Sequence, residues 1–259
     1  MCICGHFTIL NTLHQQIKIL SNVTTGYQQP RRANLKQDKH NIAIFDTFKT
    51  RKNRFTGEAK RQRGIIAHLA TEQSPEFRTR TSIAHVIARK QGILWQNIYS
   101  GIFRDLDEAL IPSGVIKEGG RLPLRRGPRA LQLEGVPFYE LTETGLLVAS
   151  SIEEIGIERE KILEKYLASV PIHDHSERTI FEGLLLLVKT APSFAFKIIN
   201  EYIYAYSSGF IDNITPLDVK ILRSVISKQI GIEKELIEAF INMKPHQKDV
   251  VTNFFKEIS

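Results

Sequence analysis

Two groups of side chains have the types and spacing to do chemistry on another molecule. The first is Gln96, Asn97, Tyr99, Ser100 and Arg104. In an α-helix, positions 96, 100 and 104 stack one turn apart with 97 beside them, and Tyr99 at the edge of the same face. Gln and Asn amides can pair with the N6/N7 edge of adenine in two bonds at once, and an Arg fork matches O6/N7 of guanine. The second group is Arg121, Arg125, Arg126 and Arg129, four arginines within nine residues and with no acid among them. Pro123 and Pro128 keep that stretch extended and Gly127 lets it bend. Planar guanidinium groups match phosphate oxygens and are drawn to the narrow A·T minor groove. One group could therefore read base edges while the other holds the backbone. The plainer alternatives are a solvated helix face and an ordinary surface loop.

Other clusters carry less. His173-Asp-His175 sets two imidazoles and a carboxylate in a short loop, but a zinc site needs a further ligand that no spacing supplies. Cys2-Ile-Cys4 with His6 is equally incomplete, and two cysteines make no disulfide framework. There is no phosphate-binding Gly-Lys loop, no Gly-x-Ser-x-Gly elbow and no His-Glu-x-x-His. The expectation is a chain without metal, cofactor or catalytic set, not an enzyme. A reduced, cytoplasmic setting fits the cysteine count, and the longest apolar run, 183–188, is too short for a bilayer.

The elements around the two groups must position them. The chain has 259 residues, 42% hydrophobic and 24% charged, with a net charge of +7. The excess is uneven: 12 Lys/Arg against 3 Asp/Glu in 1–63, 10 against 9 in 64–151, and 13 against 16 in 152–259. Residues 1–54 show no sustained periodicity and read as a weakly ordered basic segment. Helical spacing then begins near Gly57 and runs to Thr71, followed by helices at about 81–90 and 95–110. Ala88 suits a close helix contact and Gly92 a tight turn. Ile98, Ile102, Leu106 and Leu110 fall every four residues and face inward. Gly114–Glu118 and Val136–Leu141 read as short strands on either side of the arginine-rich loop.

The series Ser82-Ile-Ala84, Ile87-Ala-Arg-Lys-Gln-Gly92, Ile102-Phe-Arg-Asp-Leu106, Gly114-Val-Ile116 and Tyr139-Glu-Leu-Thr-Glu-Thr-Gly145 resembles winged helix-turn-helix domains of the broad MarR- and PadR-like kind found in bacterial and archaeal transcriptional regulators. The resemblance covers about 58–150. It implies a recognition helix at about 95–109 and a wing at about 119–135. Leu94-Trp95 stand where such helices often begin on Ser or Thr.

After Ser150 the pattern is helical throughout, with segments expected at 157–170, 176–190, 192–208, 215–229, 232–243 and 246–258. The aromatics Phe194, Phe196, Tyr202, Tyr204, Tyr206 and Phe210 read as core, with a small-molecule effector pocket the alternative. Surplus apolar surface here would favour a second subunit. The expected architecture is mainly α: a weakly ordered 1–54, a winged helix-turn-helix over 55–150 (three helices plus a small β-hairpin wing), and an all-helical dimerisation or regulatory domain over 151–259. The expected function is sequence-specific duplex DNA binding in transcriptional regulation, on the nucleoid, as a homodimer through the C-terminal helices. The alternatives are a winged-helix module docking an acidic protein, and a nucleic-acid-processing enzyme.

Overall fold

The computed structural model describes residues 42–48, 53–123, 135–172, 174–229 and 231–258. Among these the protein is mainly helical, with one two-stranded antiparallel sheet. The helices are α1 (Gly57–Thr71), α2 (Arg80–Gln91), α3 (Gln96–Arg104), α4 (Glu143–Ser150), α5 (Glu158–Ser169), α6 (His175–Thr190), α7 (Pro192–Ser207), α8 (Val219–Gln229), α9 (Gly231–Asn242) and α10 (Pro245–Ile258). The strands are β1 (Ile116–Leu122) and β2 (Val136–Leu141), which lie between α3 and α4. Among the described residues no helix is long and apolar enough to cross a membrane.

Helix α1 is the central strut. Thr56 caps it by accepting from the Ala59 N–H at 3.1 Å. Its buried residues, Ile65, Ile66 and Leu69, pack toward α2, α3, α4 and β2. Weak order was expected as far as residue 54, and the structure corrects that for 42–48. Ile42, Ala43 and Ile44 are buried, the Ala43 N–H donates to Gln62 Oε1 at 2.7 Å, and the Ile44 carbonyl accepts from Arg63 Nη1. A short apolar run with no period of its own is held here by two polar side chains of α1, a long-range effect that periodicity cannot register. The rest of the basic segment, with Cys2, Cys4 and His6, lies outside the described residues.

Strand β2 has the expected bounds, whereas β1 begins two residues later than expected and runs on past Glu118. It continues through Gly119 and Gly120, with a bulge between Glu118 and Gly120 and the Phe138 ring lying over the two glycines. Helix α8 starts later than the expected 215, because Asp218 is its cap. The Lys220 and Ile221 N–H groups donate to Asp218 Oδ1 at 2.7 and 3.0 Å, while Thr215 Oγ1 bonds Thr144 Oγ1.

The hydrophobic cluster continues from Ile42 to Leu222 without a break at Ser150. Ser150 and Ser151 are themselves buried, and Ile152, Ile155, Leu163 and Tyr166 extend the same core. An ion pair between Arg63 of α1 and Glu154 at 2.5 Å crosses that point. The break in pattern after Ser150 is thus a change from mixed to all-helical structure within a shared core. The C-terminal aromatics divide between interior and surface: Tyr202 and Tyr206 are buried, Tyr204 and Phe210 exposed. Tyr202 keeps its hydroxyl satisfied, donating to the Ile214 carbonyl and accepting from the Asp218 N–H.

Candidate nucleic-acid interface

Helix α2 is capped by Thr79, whose hydroxyl accepts from the Ser82 N–H at 3.3 Å, so it begins slightly ahead of the expected 81. Thr79 also bridges to Phe138, so a third extended segment joins the edge of the hairpin. The helix ends at Gly92 in the left-handed region, φ 67°, where a side chain would be strained. The Gly92 and Ile93 N–H groups both return to carbonyls of the last turn, Ala88 among them. Ala88 is buried at this corner, as its size requires.

Helix α3 then starts without a side-chain cap. Trp95 has helical backbone angles, and the Asn97 and Ile98 N–H groups bond the Leu94 and Trp95 carbonyls at 3.1 and 3.2 Å. These bonds tighten the first turn and use two amides that would otherwise lack partners. Ile98 and Ile102 are buried. Gln96, Asn97, Ser100 and Arg104 are exposed, as their spacing predicts.

Tyr99 is the correction. It is half-buried, in a row of rings running down the flank of α3: His85 to Trp95 at 4.7 Å, Trp95 to Tyr99 at 5.2 Å and Tyr99 to Phe103 at 4.6 Å. Its position on the helical wheel lies at the edge of the polar face, and the edge falls to whichever neighbour is apolar. Trp95 and Phe103, one turn away on each side, decide it. The row closes on Arg80, whose guanidinium lies 4.4 Å from the Phe103 ring and whose Nε donates to Tyr139 Oη at 2.5 Å. Arg80 also forks onto Asp107. It therefore ties α2, the end of α3 and β2 together.

A second tie crosses the opposite flank. Arg61 of α1 reaches over α3 at Gly101 and pairs with Asp105, Nε to Oδ2 at 2.7 Å and Nη2 to Oδ1 at 3.2 Å. A Cβ at position 101 would sit 2.7 Å from Arg61 Nε, so the glycine leaves the path open. The Asp105 side chain is 1% exposed. Its burial pushes the carboxyl pKa up, and Arg61 offsets that only in part. The single helix expected over 95–110 changes character at Asp105. Residues Asp105–Leu110 form a wider π-helical turn, with Ile111 N–H to Leu106 O at 2.9 Å and Val115 N–H to Leu110 O at 3.0 Å. That width lets Asp105, Leu106, Ala109 and Leu110 all turn inward.

The expected contact residues separate into three groups. Gln96, Asn97, Ser100 and Arg104 share one exposed face. Arg121 is exposed on β1, where its Nε donates to Glu118 Oε1 at 2.8 Å, so its charge is partly matched. Arg125, Arg126 and Arg129 lie outside the described residues. Four exposed cations make no ion pair among the described residues: Arg104 at the end of α3, Arg89 and Lys90 in the last turn of α2, and Lys117 on β1. Arg89, Lys90 and Lys117 stand apart from the arginine run in the chain, so their place in the sequence does not group them with it. The dipeptide Arg89-Lys90 just ahead of the Gly92 turn was the signal available. In contrast, Arg61, Arg78 and Arg80 are matched by Asp105, Glu140 and Asp107.

Asp174 of the His-Asp-His triplet caps α6 by accepting from the Glu177 N–H at 2.7 Å. Among the described residues no group of three His, Cys, Asp or Glu side chains could hold a metal ion. The chain matches no protein-family model, no curated protein and no solved structure.

Proposed function

We propose that residues 57–150 form a winged helix-turn-helix that binds duplex DNA, with α3 as the reading helix and the β1–β2 connection as the wing, and that the chain regulates transcription. One observation carries this reading. Helix α3 buries Ile98 and Ile102 and turns Gln96, Asn97, Ser100 and Arg104 to solvent, directly ahead of a two-stranded antiparallel hairpin. The polar side chains near the start of such a helix are those that meet base edges in the major groove.

The supporting parts have distinct jobs. Arg80 and Arg61 clamp α3 from its two flanks, which fixes the angle at which its polar face is presented. Arg89, Lys90, Arg104 and Lys117 supply positive charge that makes no ion pair among the described residues. The arginines at 125, 126 and 129 add phosphate or minor-groove contacts from the wing. The chain acts by binding, with no catalytic step and no cofactor.

The test is fluorescence anisotropy with a random-sequence duplex over a salt series. Binding through phosphates weakens with a log–log slope of about −0.9 per phosphate neutralised. Replacing Arg125, Arg126 and Arg129 together by Ala flattens the slope by roughly 2 to 3. A chain that stays unbound at about 50 mM salt overturns the reading.

A further inference from the structure

The turn between α2 and α3 presents two adjacent aliphatic side chains to water. Ile93 is 41% exposed and Leu94 69%, more than any other leucine among the described residues. Neither stands on a loose loop. The Ile93 N–H donates to the Ala88 carbonyl at 3.1 Å, and the Leu94 carbonyl accepts from the Asn97 N–H at 3.1 Å. One backbone is thus tied to the end of α2 and the other to the first turn of α3. Trp95, the third apolar residue of the run, packs instead into the ring row between His85 and Tyr99. A single exposed aliphatic residue needs no special account, but two neighbours on fixed backbone beside a polar face do.

The same stretch carries no charge. No charged residue lies between Lys90 and Arg104. Arg or Lys there would favour guanine, and Asp or Glu would accept from cytosine N4. Arg104 comes only at the end of α3, and Arg89 and Lys90 belong to α2, the helix that crosses the phosphate backbone in a helix-turn-helix. Base edges are met from the start of the second helix. There α3 offers the exposed Gln96 and Asn97 amides, with Ile93 and Leu94 just ahead of them. In the major groove an A·T pair presents adenine N7 and N6, thymine O4 and the thymine C5-methyl. A carboxamide satisfies the adenine edge with two bonds, and an aliphatic side chain fits the methyl.

We infer that Ile93 and Leu94 read the C5-methyl groups of thymine, so that the preferred duplex presents A·T pairs to the start of α3. This rests on the DNA reading above and adds to it the class of base pair and two residues that select it. Covering a methyl removes apolar surface from water, which raises affinity roughly fourfold for each methyl fully covered. A G·C pair has no methyl, so the same side chains would strip water from polar edge atoms with no hydrogen bond to replace it.

The experiment is competition anisotropy of the full chain on three duplexes of equal length. One has a mixed A·T sequence, the second has the same sequence with deoxyuridine in place of thymidine, and the third has a mixed G·C sequence. Deoxyuridine removes the C5-methyl and keeps every hydrogen-bonding atom of the base. The parent is expected to bind the thymine duplex roughly tenfold more tightly than the uracil duplex, and the G·C duplex more weakly still. Ile93→Ala and Leu94→Ala together are expected to bring the thymine-to-uracil ratio to within about twofold of one, because side chain and methyl are then no longer coupled. Affinity for the uracil duplex and helical circular dichroism are expected to stay as in the parent. Leu94→Ala alone is expected to lower the ratio part of the way. A parent that binds thymine and uracil duplexes equally, or prefers the G·C duplex, overturns the inference and leaves the DNA reading standing. So does a ratio that the double substitution leaves unchanged, since another element would then be sensing the methyls. A chain that binds none of the three duplexes at low salt overturns the DNA reading itself, and this inference with it.

Discussion

Helices α3 and α9 are both short and amphipathic, yet they leave opposite faces open. In α3 the apolar side is buried under α1 and α2, and the side left in water carries amides, a hydroxyl and a guanidinium. In α9 the apolar side itself is in water. Amphipathic pattern alone does not distinguish them. What differs is what holds each helix: α3 is clamped from two flanks by Arg61 and Arg80, whereas α9 is paired to α7 through Glu233 and Lys197. A buried apolar face leaves the polar face as the one open to water, whereas on α9 apolar side chains are themselves exposed.

The sharpest way to break this contrast is to remove what clamps α3. Asp105→Ala leaves Arg61 without its carboxylate in a largely buried setting and is expected to cost about 3 kcal/mol, read from urea denaturation. An effect near zero would mean that the pair does not hold α3. Next come matched truncations on the two apolar faces. Ile102→Ala should destabilise by about 2 to 4 kcal/mol, while Ile241→Ala, at an exposed position, should fall within about 0.5 kcal/mol. Similar losses at both positions would erase the distinction between covered and uncovered faces.

A third measurement tests the polar side of α3. Gln96→Ala and Asn97→Ala should each lower discrimination between duplex sequences by about 1 to 3 kcal/mol, with far-ultraviolet dichroism unchanged. Discrimination that survives both changes would assign base reading to another element. The smallest expected effect is on pH dependence. At Glu154 burial pushes the carboxyl pKa up, but its hydrogen bonds and charge contact with Arg63 outweigh this and hold it below its ordinary value. A carboxylate with a lowered folded-state pKa stabilises the fold above its unfolded pKa and loses that contribution as pH falls through the folded one. The advantage of the parent over Glu154→Gln should therefore be full near pH 6 and fade on acidification below about pH 4. Asp105, raised by burial, works in the other sense: its contribution is full below its unfolded pKa and declines as pH rises through the folded value. Urea midpoints from pH 3 to pH 6 separate the two, and a Glu154→Gln gap that stays constant over that range would rule out the Arg63 contribution.

Much of the helical layout was legible from local signals. The helices at 57–71 and 192–207 and the turn at Gly92 follow from period, capping and glycine, all of which act within a few residues. The exposed face of α3 followed from the fourfold spacing of Ile98 and Ile102. Three features were not legible. Residues 42–44 have no period, and their burial depends on Gln62 and Arg63, about twenty residues away. Tyr99 sits at a face boundary, and its fate depends on the rings at 95 and 103. Nothing in the sequence pairs Arg61, Arg78 and Arg80 with Asp105, Glu140 and Asp107, which the fold sets opposite them. The first and last of these are contacts between residues far apart in the chain, for which sequence spacing carries no signal.

The sequence by itself determined the kinds of elements, their order, and which side chains on each helix are polar or apolar, because periodicity and capping are local properties of the chain. Only the tertiary structure decided which of those faces are covered. It joined 151–222 to the core of α1–α4, matched some arginines and left Arg89, Lys90, Arg104 and Lys117 without ion partners among the described residues. It also left Leu236, Ile237 and Ile241 of α9 exposed. Burial is a property of what lies opposite a residue, and that is set by packing across the whole fold.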